Sequence, residues 1–157
     1  MAESRTAQAK LCGANVVINP MSMDILETVH EHVGMAGVDV AFDACGLQAT
    51  LDTAFACTKP GGTIFNVAIH ETSKTVNLNL LTLSEKRLLA GNAYQAEDFR
   101  NVIRLLERSS DQVEQLITAI VPLDKAVTGG FEELVSNRAV HNKILIVANN
   151  ETSVMSS

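Results

Sequence analysis

Two hydrophobic periods alternate along the chain. Short β-branched runs separate longer stretches in which apolar residues recur every three or four positions. Asn15 to Ile18 (NVVI) reads as a first buried strand, stopped by Asn19-Pro20. Val38 to Ala44 (VDVAFDA) reads as the next, closed by Gly46. Thr63 to Ile69 follows the Pro60-Gly61-Gly62 turn, Lys86 to Ala93 (KRLLAGNA) makes a fourth strand, and Lys143 to Ala148 (KILIVA) a terminal one. The helical stretches lie between them. Ser4 can cap a helix from Arg5 to about Leu11 that Gly13 ends. Asp24 and Glu27 have capping-box spacing ahead of the stripe Ile25, Leu26, Val29 and Val33, which Gly34 and Gly37 close. Leu47, Leu51, Ala54 and Phe55 mark another helix face, as do Phe99, Val102, Ile103 and Leu106. Val113, Leu116 and Ile117 suggest a shorter helix. Asp124 heads a last one containing Phe131, Leu134 and Val135, with Gly129-Gly130 weakening its continuity.

Strands alternating with helices imply βαβ units, hence an α/β fold with a parallel sheet, right-handed crossovers and helices on its faces. The near-continuous apolar strands predict burial on both sides. The expected organisation is a single domain over residues 1–148 with a polar, frayed tail over 149–157.

Composition narrows the function classes. A chain of 157 residues, 46% hydrophobic, can bury a core, and with 4% aromatics and no Trp that core must be aliphatic. A net charge of -6 argues against nucleic acid, which needs clustered Lys and Arg. No apolar run reaches the roughly 18 residues of a membrane span, and no signal-peptide pattern is visible. Cys12, Cys45 and Cys57 lack CxxC spacing and read as small buried hydrophobes in a reducing compartment. His30 and His32 point to different faces of a helix, a poor chelate, so no metal site is expected.

The segments ESRTAQAKLCGANVVINP, GVDVAFDACGLQATLDTAF, KPGGTIFNVAIHE, EKRLLAGNAY and AVTGGFEELV followed by HNKILIV occur in this order from about Glu3 to Val147. Together they resemble the butanediol and sorbitol dehydrogenase branch of the zinc-dependent medium-chain dehydrogenases. The resemblance implies a dinucleotide-binding (Rossmann) domain joined to a GroES-like catalytic domain. It makes Glu3 to Leu11 the helix after the second Rossmann strand and the later runs strands three to six of a truncated Rossmann-like sheet. Either strand three closes directly onto strand four, giving order 3-4-5-6, or another chain fills the gap between them. It also implies that Lys86 to Ala93 pairs with its copy across a two-fold axis, giving a homodimer. No GxGxxG turn occurs in the chain. The first strand, its phosphate loop, the second strand with its ribose-binding acid and the domain that supplies zinc ligands have no counterpart in these segments. No cofactor and no competent NAD-dependent redox activity are therefore expected of the chain alone.

Ligands in open α/β sheets bind at the carboxyl ends of strands. The candidate catalytic residues there are His70, Asp43, Asn92 and Tyr94. His70 can act as an acid or base near neutral pH, or be a solvent-facing loop histidine. Asp43 can be a shifted carboxylate, or cap the next helix and bind loop amides. Tyr94 can donate to a bound oxygen or simply pack, and Cys45 is a nucleophile only with a lowered pKa, otherwise a core thiol. The expected function is a pseudo-dehydrogenase that binds a small organic molecule at the strand ends and does isomerase, cyclase or proton-transfer chemistry. The alternatives are a non-catalytic dimerisation module and a fragment of a true zinc-dependent NAD(P) alcohol dehydrogenase.

Overall fold

The computed structural model describes residues 3–148. The expected tail, 149–157, lies outside the described residues. The chain divides into two compact units, residues 18–94 and residues 3–17 with 95–148.

In the first unit three strands, β1 (Val38–Asp43), β2 (Thr58–Asn66) and β3 (Arg87–Ala90), form a parallel sheet in the order β1-β2-β3. Phe42 lies opposite Phe65 and Phe65 opposite Leu89, while Asp43, Asn66 and Ala90 end the three strands level with one another. Parallel strands need crossover connections. The first runs through α3 (Gln48–Cys57), the second through a long loop and the short α4 (Leu78–Thr82). Leu51, Ala54 and Phe55 on α3 are buried with Ile64, and Ala41, Val76 and Leu81 pack around them. Ile64, in the middle of the central strand, is 0% exposed. Gly37 admits the chain to β1. Its φ of 93° suits glycine, and a Cβ there would overlap the Cys57 carbonyl oxygen.

Ahead of the sheet, α2 (Ile25–Val33) begins where the Asp24 carboxylate accepts from the Glu27 N–H at 2.9 Å. It ends at Gly34, as expected, with φ 88°. Its apolar stripe is only partly covered. Thr28, whose hydroxyl donates to Asp24 O, is its buried residue.

The second unit holds α1 (Glu3–Leu11), α5 (Ala96–Glu114) and a parallel pair, β4 (Ile117–Pro122) and β5 (Lys143–Val147). The Arg5 guanidinium donates to Arg138 O and the Gln8 amide to Gln115 O, which ties α1 to this unit. Between β4 and β5 the helix headed by Asp124 forms, but irregularly. A 3-10 turn (Leu123–Lys125) leads into a π-helical turn (Ala126–Phe131) containing Gly129-Gly130, then α6 (Glu132–Ser136).

Several expectations need correction. Asn15 to Ile18 is not a strand. The run is bracketed by Gly13 at φ 101° and by the turn in which Asn19 accepts from Met21 N–H and Ser22 N–H, so it finds no ladder partner. The order 3-4-5-6 therefore holds only for its last three members, which are β1, β2 and β3. Ser4 lies within α1 rather than capping it. Val113, Leu116 and Ile117 do not form a separate helix. Instead α5 runs on to Glu114, and the β-branched run from Ile117 becomes β4. Nor is β1 buried on both faces: Phe42 is 69% exposed, with its ring centroid 5.7 Å from that of Phe65. No helix among the described residues is long and apolar enough to cross a membrane.

Truncating Ile64 to Ala should lower unfolding stability by about 2–5 kcal/mol, because a cavity in the central strand cannot collapse without moving α3. Chemical denaturation reads this directly. A loss below about 0.5 kcal/mol would mean that the site is not packed as described.

Candidate functional site

Three strands that end level create a shared edge, and the polar groups at that edge must be satisfied by the turns leaving it. Asp43, the last residue of β1, is 2% exposed. Its Oδ1 accepts from the Cys45 N–H at 3.0 Å, the Gly46 N–H at 3.3 Å and the Thr50 hydroxyl at 2.9 Å. Its Oδ2 is buried with no hydrogen-bond partner. Burial pushes this carboxyl up. The donations from Cys45, Thr50 and Gly46, with the nearby charge of His70, outweigh burial and hold it below the usual carboxylate value. Asp43 thus binds loop amides and is at the same time a shifted carboxylate, displaced downward. Thr50, on the first turn of α3, adds a donor that the sequence did not signal.

The turn that Asp43 orders carries the next contact. Gly46, at φ 72°, brings its backbone against Ala68 and Ile69, where a Cβ would lie 3.2 Å from the Ala68 Cβ. The Gly46 carbonyl oxygen is 3.1 Å from His70 Nδ1. The other ring nitrogen, Nε2, is 3.0 Å from Asn66 Oδ1, and Asn66 Nδ2 donates to Ala68 O at 3.0 Å. His70 is thus half-buried with both nitrogens engaged by the protein rather than turned to solvent. Asn66 sits four residues before it at the end of β2, a partner that only the sheet's geometry reveals.

His70 and Asn66 line an open cleft of about 750 Å³ together with Leu51, Val76, Leu88 and Lys74. The loop forming its far side is pinned to α3. The Gln48 side-chain amide donates to Thr75 O at 2.9 Å and accepts from Thr75 N–H at 2.9 Å. Lys74 Nζ donates to the Thr72 hydroxyl at 2.9 Å. An apolar floor with a few polar groups above it is the usual make-up of a small-molecule site.

The remaining candidates are not gathered here. Asn92 and Tyr94 follow β3, are exposed and do not line this cleft. Two of the three cysteines correct the expectation of buried thiols. Cys45 is exposed in the turn that Asp43 holds, and Cys12 is exposed just beyond α1, while Cys57 is buried. Burial, with the Asp24 charge, pushes the Cys57 thiol up, and Lys86 opposes this. Among the described residues no group of three or more His, Cys, Asp or Glu is placed to hold a metal ion.

A strand-edge cleft on a parallel sheet is shared by many α/β enzymes, so relatives decide the lineage. The family model described as zinc-binding dehydrogenase matches residues 1–108. The chain belongs to that family. The (R,R)-butanediol dehydrogenase of Neisseria gonorrhoeae is 31% identical over 150 residues, which is 95% of this chain and 42% of that protein. The enzyme of the same name from Saccharomyces cerevisiae is also 31% identical, over 96% of this chain and 41% of its own length. The crystal structure of 2R,3R-butanediol dehydrogenase from Bacillus subtilis superposes with a TM-score of 0.85 at 26% identity, covering 95% of this chain and 42% of that one. The chain thus spans less than half the length of these relatives. The likeness bears out the α/β, Rossmann-like reading and places the chain in the C-terminal part of such dehydrogenases.

Since folding lowers the Asp43 pKa, its ionisation stabilises the native state above the unfolded value of about 3.9. That contribution is lost as pH falls through the lower folded value. Asp43→Asn should cost about 1–3 kcal/mol at pH 6, where it weakens three hydrogen bonds to a charged acceptor. The difference between wild type and variant in urea midpoint should stay level above about pH 5 and close on further acidification. A difference unchanged down to acid would contradict the depressed carboxyl.

Proposed function

We propose that the chain supplies the strand-end side of the cofactor-binding domain of a zinc-dependent medium-chain dehydrogenase acting on alcohols or diols, and that the 157-residue chain alone turns over no such substrate. The observation that carries this is the alignment of butanediol dehydrogenases along nearly all of the chain, together with a sheet whose three strands end level beside a cleft.

Hydride transfer requires a nicotinamide held against the substrate and a stabilised alkoxide. The described residues offer no metal-ligand set, so they do not fit a catalytic zinc. The sequence has no glycine-rich turn of the GxGxxG type to cradle a pyrophosphate at a helix N-terminus. What the chain does provide is the platform at the ends of β1, β2 and β3, with Asp43 ordering one turn and His70 joining it to the next.

A second reading is favoured by the cleft itself. About 750 Å³ with both apolar and polar lining suits a small organic molecule, handled without redox chemistry by proton transfer or isomerisation. His70, Asp43, Asn92 and Tyr94 are its candidate residues. This reading is the weaker, because both His70 nitrogens are already engaged and Asn92 and Tyr94 lie outside the cleft lining. In either reading the exposed strand β3 is the proposed dimer element, pairing Lys86–Ala93 with a second copy.

Fusing the residues that precede the matching region in the Neisseria butanediol dehydrogenase to this chain tests the first reading. NAD-dependent oxidation of 2,3-butanediol by a dimeric fusion, with none by the chain alone, is the expected result. A fusion that folds, binds zinc and NAD, and still oxidises no alcohol or diol would contradict it. A monomeric fusion would remove the dimer proposal.

A further inference from the structure

We propose that His70 is a positioning residue whose doubly protonated ring staples the turn after β1 to the end of β2, so that the strand-end cleft responds to the charge on this one imidazole. The proposal deepens the assignment of the cleft as the functional site.

Both neighbours of the ring are acceptors. Gly46 presents a carbonyl oxygen, which has no proton to give. Asn66 presents Oδ1, and its orientation is fixed by a third group. Turning the amide over would set its oxygen against the Ala68 carbonyl at 3.0 Å, oxygen facing oxygen, and sacrifice the bond that Asn66 Nδ2 now donates. A neutral imidazole has one N–H and can satisfy only one of the two acceptors. The imidazolium donates to both.

The surroundings supply the charge balance. From β1, the Asp43 carboxylate lies close enough to interact with His70, and its Oδ2 is buried without a hydrogen-bond partner. From the loop after His70 come Glu71 and Lys74, which line the same cleft. α3 presents Leu51 there, and β3 presents Leu88, Leu89 and Ala90, none of them charged. Deprotonation would leave a nitrogen lone pair facing an oxygen at about 3 Å and break one arm of the staple. The turn at Gly46, pressed against Ala68 and Ile69, or the Asn66 side chain would then be released.

Nitrogen NMR of histidine-labelled protein tests this without any ligand. Between about pH 5.5 and about pH 8.5, three results are expected. At the acid end both His70 ring nitrogens carry protons. As pH rises, the Cys45 and Gly46 amides and the Asn66 side-chain amide shift together with the ring. In His70→Gln these three shifts no longer respond to pH. A neutral, single-tautomer ring at about pH 5.5, or turn resonances that ignore the ring's titration, would overturn the proposal. The wild-type spectra decide even if the variant fails to fold. Failure of the staple would leave the dehydrogenase assignment intact, because no activity or cofactor enters the measurement. An inactive fusion would equally leave the staple intact.

Discussion

A buried carboxylate at the end of a strand is costly unless donors converge on it, and the strand-end region is arranged around that requirement at Asp43. The donors are the Cys45 and Gly46 N–H groups and the Thr50 hydroxyl on the first turn of the following helix. Satisfying Asp43 therefore sets the path of the chain from β1 into α3. With that path set, Gly46 faces Ala68 and His70, and Leu51, Ala54 and Phe55 fall on Ile64. One electrostatic constraint thus links the strand edge, the helix that covers one face of the sheet, and the cleft beside them.

The cleft owes its existence to parallel topology. Strands running the same way end at the same edge, and each crossover must leave and return around that edge. The loop after β2 makes the longest of these departures, and the Gln48–Thr75 amide pair keeps it anchored to α3. The platform is therefore formed within residues 18–94. The parts of dehydrogenase chemistry that demand metal donors and a phosphate cradle are not provided by the residues described.

Much of the platform was legible in the sequence. β1, β2, β3 and β5 fall on the apolar runs read as strands, although Pro60-Gly61-Gly62, read as a turn, lies within β2, and α3 follows a regular apolar stripe. β4 was hidden because Val113, Leu116 and Ile117 imitate helical spacing across the true helix–strand boundary at Glu114–Ile117. Asn15 to Ile18 misled in the opposite direction: its composition suits a strand, but a ladder needs a partner that composition cannot show. At the site, Asp43 and His70 were visible as titratable residues at strand ends. Their partners were not. Thr50 and Asn66 matter only because the sheet and α3 carry them there, and Gln48 meets Thr75 across 27 positions of sequence. Cys45 looked like a core thiol because residue type was the only guide, whereas the turn imposed by Asp43 exposes it.

The central claim is that this chain keeps the strand-end platform of a zinc-binding dehydrogenase without a self-sufficient dinucleotide site. Thermal shift of the purified 157-residue protein with NAD, NADH, NADP and NADPH tests it most directly, since a ligand that binds only the native state must raise its apparent stability. The account predicts no saturable shift with any of the four. A clear, saturable stabilisation by one of them would contradict it and show that the platform binds the cofactor without a glycine-rich phosphate turn.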